Sequence, residues 1–155
     1  MRTVILLIGL LLGFAAFSQD KQGMLRLHGR MENNGKMISE VAIEVIKDNE
    51  IIYEGKTDSN GNYKLDLTLG SVYNIAFQKL GYVTKQVGVI AVHPKEKLTE
   101  TYVFQLDLEL FQTESDDGHD TVLPPVAKLY IKDVDKGFIY DKQYVKWVAT
   151  HYEEI

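Results

Sequence analysis

The chain has 155 residues, about a quarter of them charged, with 17 Lys and Arg against 22 Asp and Glu for a formal charge of −5, and it has no cysteine. That balance argues against a phosphate backbone as partner, which demands clustered cations, and the missing thiols remove disulfides and cysteine nucleophiles from consideration. The length suits one domain large enough to hold a core without covalent staples.

Met1-Arg2-Thr3 is a short basic start, and Val4 to Phe17 is an almost unbroken apolar run. The run falls short of the ~20 residues that a membrane-spanning helix needs. Ala16-Phe17-Ser18 then sets small residues at the two positions a signal peptidase reads. The expectation is a secretory leader over residues 1–18, with an uncleaved anchor as the alternative, and a periplasmic or secreted location. Loss of Arg2 with the leader would make the remainder slightly more acidic. No later segment is apolar enough to cross a bilayer, so no transmembrane segment is expected in the mature chain.

Gly23 to Met31 alternates, with Leu25, Leu27, Gly29 and Met31 on one face and Arg26, His28 and Arg30 on the other. Period-two alternation of this kind marks a strand half buried against a core. Glu32 to Lys36 is a turn by composition, Val41 to Lys47 a second strand, Asp48-Asn49-Glu50 another turn, and Ile51 to Lys56 a third strand. Thr57-Asp58-Ser59-Asn60-Gly61-Asn62-Tyr63 follows. Asn and Gly tolerate positive φ, so Asn60-Gly61 predicts a two-residue hairpin loop, with Asp58 and Ser59 bonding their own backbone ahead of it. Asp58, Asn60 and Asn62 also match the first three ligand positions of an EF-hand loop. Tyr63 stands where that loop needs Gly, however, and Leu69 where it needs Glu, which favours a plain turn over calcium.

Tyr63, Leu65, Leu67 and Leu69 alternate with Lys64, Asp66 and Thr68. Val72 to Lys79 and Tyr82 to Val92 read as further strands, the latter placing Lys85 among apolar neighbours, where its stem can snorkel at an edge. Tyr102 to Leu110 is the longest clean alternation in the chain. About seven strands separated by turns describe an all-β, antiparallel β-sandwich.

The residues Gly29-Arg30-Met31, Val41 to Val45, Thr57 to Tyr63, Tyr73 to Phe77 and Lys79-Leu80-Gly81-Tyr82 occur in the order and spacing of a known family. Over Gly23 to about Leu110 the chain resembles the carboxypeptidase regulatory-like domain. The resemblance implies a seven-stranded transthyretin-like sandwich, and an accessory role in an exported protein beside peptidase domains or receptor barrels. Hydroxyisourate hydrolase, an enzyme of the transthyretin fold, ends in Tyr-Arg-Gly-Ser. This chain ends Tyr152-Glu153-Glu154-Ile155, so that activity is not carried over.

Beyond Leu110 the composition changes. Gln112 to Thr121 holds Glu114, Asp116, Asp117, His119 and Asp120, either a solvated acidic linker or, less simply, one imidazole and several carboxylates for a divalent ion. Pro124-Pro125 enforces extended backbone before a short strand from Val126 to Ile131, and Phe138-Ile139-Tyr140 resumes after a turn. Asp141 predicts a helix N-cap. The helix would carry Tyr144, Val145, Val148, His151, Tyr152 and Ile155 on one face, with Trp147 at its border. An isolated helix of this length is marginal, so it must dock on the sandwich or on a partner. Tyr140, Tyr144, Trp147 and Tyr152 are the candidate ligand- or partner-binding residues, since exposed aromatics anchor interfaces.

These readings divide the chain into a leader (1–18), a β-sandwich (19–110) and an extension (111–155) ending in one helix. No nucleophile elbow, zinc-protease helix motif or phosphate-binding loop is present, so no catalytic residue, cofactor or metal is expected. The expectation is a non-catalytic exported module that binds another envelope or secreted protein. The alternatives are a carbohydrate- or peptide-binding module and a metal-dependent hydrolase using the His119 region.

Overall fold

The computed structural model describes residues 22–93, 95–96, 98–113 and 123–152. In chain order the strands are β1 (Met24–Asn33), β2 (Lys36–Met37), β3 (Ala42–Lys47), β4 (Glu50–Lys56), β5 (Asn62–Thr68), β6 (Val72–Gln78), β7 (Lys85–Ile90), β8 (Thr101–Gln105), β9 (Leu108–Glu109), β10 (Ala127–Asp133) and β11 (Gly137–Tyr140). Helix α1 (Lys142–His151) follows. Every strand expected from the alternation has a counterpart, and β5 shows why: its even positions are exposed and its odd positions buried throughout.

Two sheets form the sandwich. In the smaller, β1 is central, with β5 antiparallel on one side, β8 and then β9 parallel on the other, and β2 turning back at its end. The larger has the order β11-β10-β7-β6-β3-β4. Leu25 and Leu27 of β1 and Leu65 and Leu67 of β5 meet Ile43, Ile75, Phe77, Val87, Val89 and Leu129 of the larger sheet in one buried cluster. Tyr63 joins them with its ring edge-on to Phe77 at 5.3 Å, and its hydroxyl donates to the Leu106 carbonyl at 2.6 Å. Burial, with lesser contributions from Tyr140 and Asp107, raises that phenol far above the ordinary tyrosine range.

The sandwich has the expected class, but three features differ from the sequence reading. The first is the Asn60-Gly61 reversal, which is not a hairpin. β4 pairs with β3 and β5 with β1, so this turn is a corner carrying the chain from one sheet to the other. Only Gly61 takes positive φ there (74°). The Asp58 carboxylate holds the corner, its Oδ1 accepting from the Asn60 and Asn62 amides at 2.8 Å and its Oδ2 from Asn62 Nδ2 at 3.1 Å. Those bonds, the Asn62 amide foremost, lower the Asp58 pKa, and they use the oxygens that the calcium reading would have required. The two-residue hairpins lie at Asn34-Gly35 and Asp48-Asn49, where both central residues have positive φ.

The second difference is that the sheets are mixed. β8 and β9 run parallel to β1, and β10 parallel to β7. Alternation reveals a strand but not its partner, so direction was not legible. The third is that the run from Tyr102 to Leu110 breaks at Leu106-Asp107 into β8 and β9. There the Leu106 amide donates to the His28 carbonyl at 2.8 Å, and the backbone crosses directly over Gly29.

The extension continues the larger sheet through β10 and β11. Phe138 and Tyr140 of β11 meet Tyr102 and Phe104 of β8 edge-on at 5.8 and 5.1 Å, which closes that side of the sandwich. The leader over residues 1–18 and the acidic run around His119 lie outside the described residues.

Candidate functional site

Helix α1 begins as its sequence predicts. Asp141 Oδ1 accepts from the amides of Gln143 and Tyr144 at 3.1 and 3.0 Å, satisfying two of the donors a helix start leaves open. The helix buries one residue fully. Val148 is 3% exposed, and it is the buried residue of the helix. It stands apart from the main core cluster, as does Ala76, which is buried on the outer face of β6.

The aromatic residues do not follow Val148 inward. Lys128 alternates with buried Ala127 and Leu129, so it faces outward from β10, and its Nζ lies 3.9 Å from the centre of the Tyr144 ring. Tyr144 stacks on Trp147 at 5.9 Å and 28°, and Trp147 stacks on His151 at 4.8 Å and 25°. Tyr152 meets Trp147 edge-on at 5.9 Å. The result is a column, Lys128, Tyr144, Trp147 and His151, running along the exposed side of the helix. Trp147 is 44% exposed. His151 Nδ1 lies 2.8 Å from the Trp147 carbonyl, a contact that fixes its ring at the helix end. Burial, and secondarily Tyr152, raises the Tyr144 phenol.

Of the four candidates, Tyr144, Trp147 and Tyr152 come together and Tyr140 does not. Tyr140 pairs in register with the buried Leu129 and leans on Phe104, so it lies at the rim between the sheets, on the opposite face from the helix. Its strand position decides this, because Phe138 and Tyr140 alternate to the inner side. Sequence reasoning missed Lys128, whose partner Tyr144 is on a different element.

A shallow cavity of about 350 Å³ on the outer face of the smaller sheet is lined by His28, Arg30, Asn62, Gln105 and Asp107. Asp107 is already occupied, accepting from the Arg30 amide at 2.9 Å and from Gln105 Nε2 at 2.7 Å. A second cavity of similar size, about 340 Å³, has His93 and Glu96 in its lining. Among the described residues no three His, Asp or Glu side chains converge to hold a metal.

Lys85 is a buried cation. It is 7% exposed, on the inner face at the start of β7 and not on an edge strand, and its Nζ sits 4.3 Å from the centre of the Phe111 ring. Burial lowers its pKa from the ordinary 10.5, and Glu109 opposes the shift. The folded state therefore binds fewer protons than the unfolded chain at alkaline pH. The cost of burying the cation is present in full at neutral pH and is relieved as pH rises through the folded value toward 10.5. Lys85→Met is accordingly expected to stabilise the protein at pH 7. It should also abolish the alkaline rise, which urea unfolding at a series of pH values would measure.

No protein-family model and no curated protein sequence matches the chain. Solved structures that resemble it include the Bacillus anthracis TIE protein, at 16% identity and a TM-score of 0.44, covering 58% of this chain and 18% of that one. A DUF3823 family protein from Parabacteroides merdae has 17% identity and a TM-score of 0.40, with 58% and 47% covered. Catechol 1,2-dioxygenase from an Acinetobacter species has 13% identity and a TM-score of 0.45, with 74% and 60% covered. The chain thus spans less than two thirds of each of these. The expectation that the chain is not an enzyme is corrected by this finding: catechol dioxygenases stand among the resembling structures. The likeness assigns no reaction. Among the described residues no helix is long and apolar enough to cross a membrane.

Proposed function

We propose that the chain is an exported β-sandwich module of the carboxypeptidase regulatory-like kind that binds another protein through the aromatic column of α1. One observation carries this reading: the helix buries only Val148 fully, while Trp147 and its neighbours are ordered against one another on its open side. Preorganised, exposed aromatics are what interface anchors require, because little side-chain entropy is left to lose on binding.

The column also bears on the kind of partner. Sugars stack on open ring faces. Here Tyr144 and His151 both stack on Trp147, and Lys128 lies over the Tyr144 ring. Faces engaged by one another are less available to a sugar, which favours a protein surface as partner.

Trp147 is the only tryptophan in the chain, so its fluorescence reports the column directly. Affinity capture from envelope fractions should retain a specific companion with the parent protein and lose it with Trp147→Ala, while the unfolding free energy stays within about 0.5 kcal/mol of the parent, as for other exposed positions. Equal capture by both proteins would refute the reading. Saturable quenching of Trp147 by soluble glycans would replace it with the carbohydrate alternative.

A further inference from the structure

The two sheets are unequal in width, and the mismatch leaves room on one side. Tyr63 and Tyr73 show that β5 lies over β6: the first packs on Phe77, and the second donates to the Thr68 carbonyl at 2.6 Å. At the opposite end β8 lies over β11. β4 therefore projects past β5, the last strand of the smaller sheet, while the inner side chains of β3 stay covered. Tyr53 of β4 records the consequence. It pairs with Val45, which is fully buried, yet is itself 44% exposed, its ring folded along its own strand over Gly55.

Among the described residues, the edge of β5 that borders this space has no partner strand over a short window. In the β1–β5 ladder Leu69 donates to Gly23 and Met31 to Gly61, so the odd positions of β5 bond to β1 and the even positions point away from it. The ends of that open edge are closed from within the fold. Asn62 donates its amide to Asp58 Oδ1 and accepts from the Asp58 amide, and the Thr68 carbonyl takes the Tyr73 hydroxyl. Between them the amides and carbonyls of Lys64 and Asp66 face outward, with no pairing strand among the described residues.

We infer that this edge, roofing the exposed Tyr53, receives one extended strand from a partner polypeptide. Backbone pairing at Lys64 and Asp66 would supply affinity and direction. The partner segment would alternate, with apolar residues covering Tyr53 and one acidic and one basic residue meeting Lys64 and Asp66. A second copy of this chain is excluded by its shape. Two β5 strands set ~4.8 Å apart would drive the projecting β4 of each copy into the larger sheet of the other. A lone strand meets no such obstacle.

The peptide Asn-Tyr-Lys-Leu-Asp-Leu-Thr, a copy of residues 62–68, is a suitable probe. Paired antiparallel about its central Leu, it sets its Asp on Lys64 and its Lys on Asp66. Added to the full chain at roughly millimolar concentration, it should slow amide exchange at Lys64 and Asp66 by about tenfold or more. The same peptide N-methylated at its Lys and Asp should lose that effect, Tyr53→Ser should weaken it, and Trp147→Ala should leave it intact, which separates this surface from the helix column. Unchanged exchange at Lys64 and Asp66, or equal binding of the N-methylated peptide, would overturn the inference. So would amides already slow in the full chain that are released when residues 1–18 are removed, since the edge would then belong to the chain's own leading segment.

Discussion

Replacing Gly29 by alanine is expected to be the most damaging single substitution in the protein. β1 passes directly beneath the break between β8 and β9, and a Cβ at this position would fall on the Leu106 carbonyl carbon and oxygen. Those are backbone atoms, tied on one side by the Leu106 amide to the His28 carbonyl and on the other by Asp107 to the Arg30 amide. They cannot move without breaking the parallel pairing of β1, and the Tyr63 hydroxyl bond to the same carbonyl would be lost with them. A cost of about 4 kcal/mol or more approaches the total stability of an ordinary domain. Urea unfolding would show the variant largely unfolded or with its midpoint sharply lowered. Gly35→Ala is the control: φ is +74° but the surrounding space is open, so only the backbone preference, about 1 kcal/mol, is lost.

Thr57→Val is expected to cost about 3 kcal/mol although it changes almost no volume. Thr57 is 2% exposed and ties the end of β4 to the connection between β2 and β3. Its Oγ1 accepts from the Val41 amide at 3.0 Å and donates to the Ile38 carbonyl at 3.1 Å. Valine fills the same space but leaves a buried donor and a buried acceptor without partners, each worth about 1–3 kcal/mol. Thr57→Ser keeps both bonds and gives up one methyl, about 1 kcal/mol. Equilibrium denaturation of the pair separates the hydroxyl from the packing. Equal losses for Val and Ser would mean that the hydrogen bonds contribute nothing.

Much of the architecture was legible because alternation is a local signal. Leu65 and Leu67 needed only their neighbours Lys64 and Asp66 to reveal a strand and its inner face, and Asp141 announced its helix by the chemistry of one side chain. Pairing was not legible. Asn60-Gly61 has the composition of a hairpin loop and serves instead as a corner, because its outcome depends on whether β4 finds β3 or β5, a choice made by the whole sheet. Gly29 likewise gives no sign in sequence of the strand that crosses it. The site divided along the same line. Tyr144, Trp147 and Tyr152 share a helix and were grouped by spacing, whereas Lys128 joins them only through the tertiary fold, and Tyr140 leaves them because strand alternation turns it to the other face.

The central position of β1 bears on how the chain reaches its native state. Apart from the short β2 at its end, β1 finds its lateral partners far along the chain: Leu27 waits for Leu65 on one side and for Phe104 on the other. A topology of such high contact order closes its largest loops before those contacts reward it, so folding is slow relative to helical proteins of similar length. The smaller sheet stays incomplete until β8 is available, whereas in the larger sheet β3 pairs with β4 and β6 with β7 as immediate neighbours in sequence.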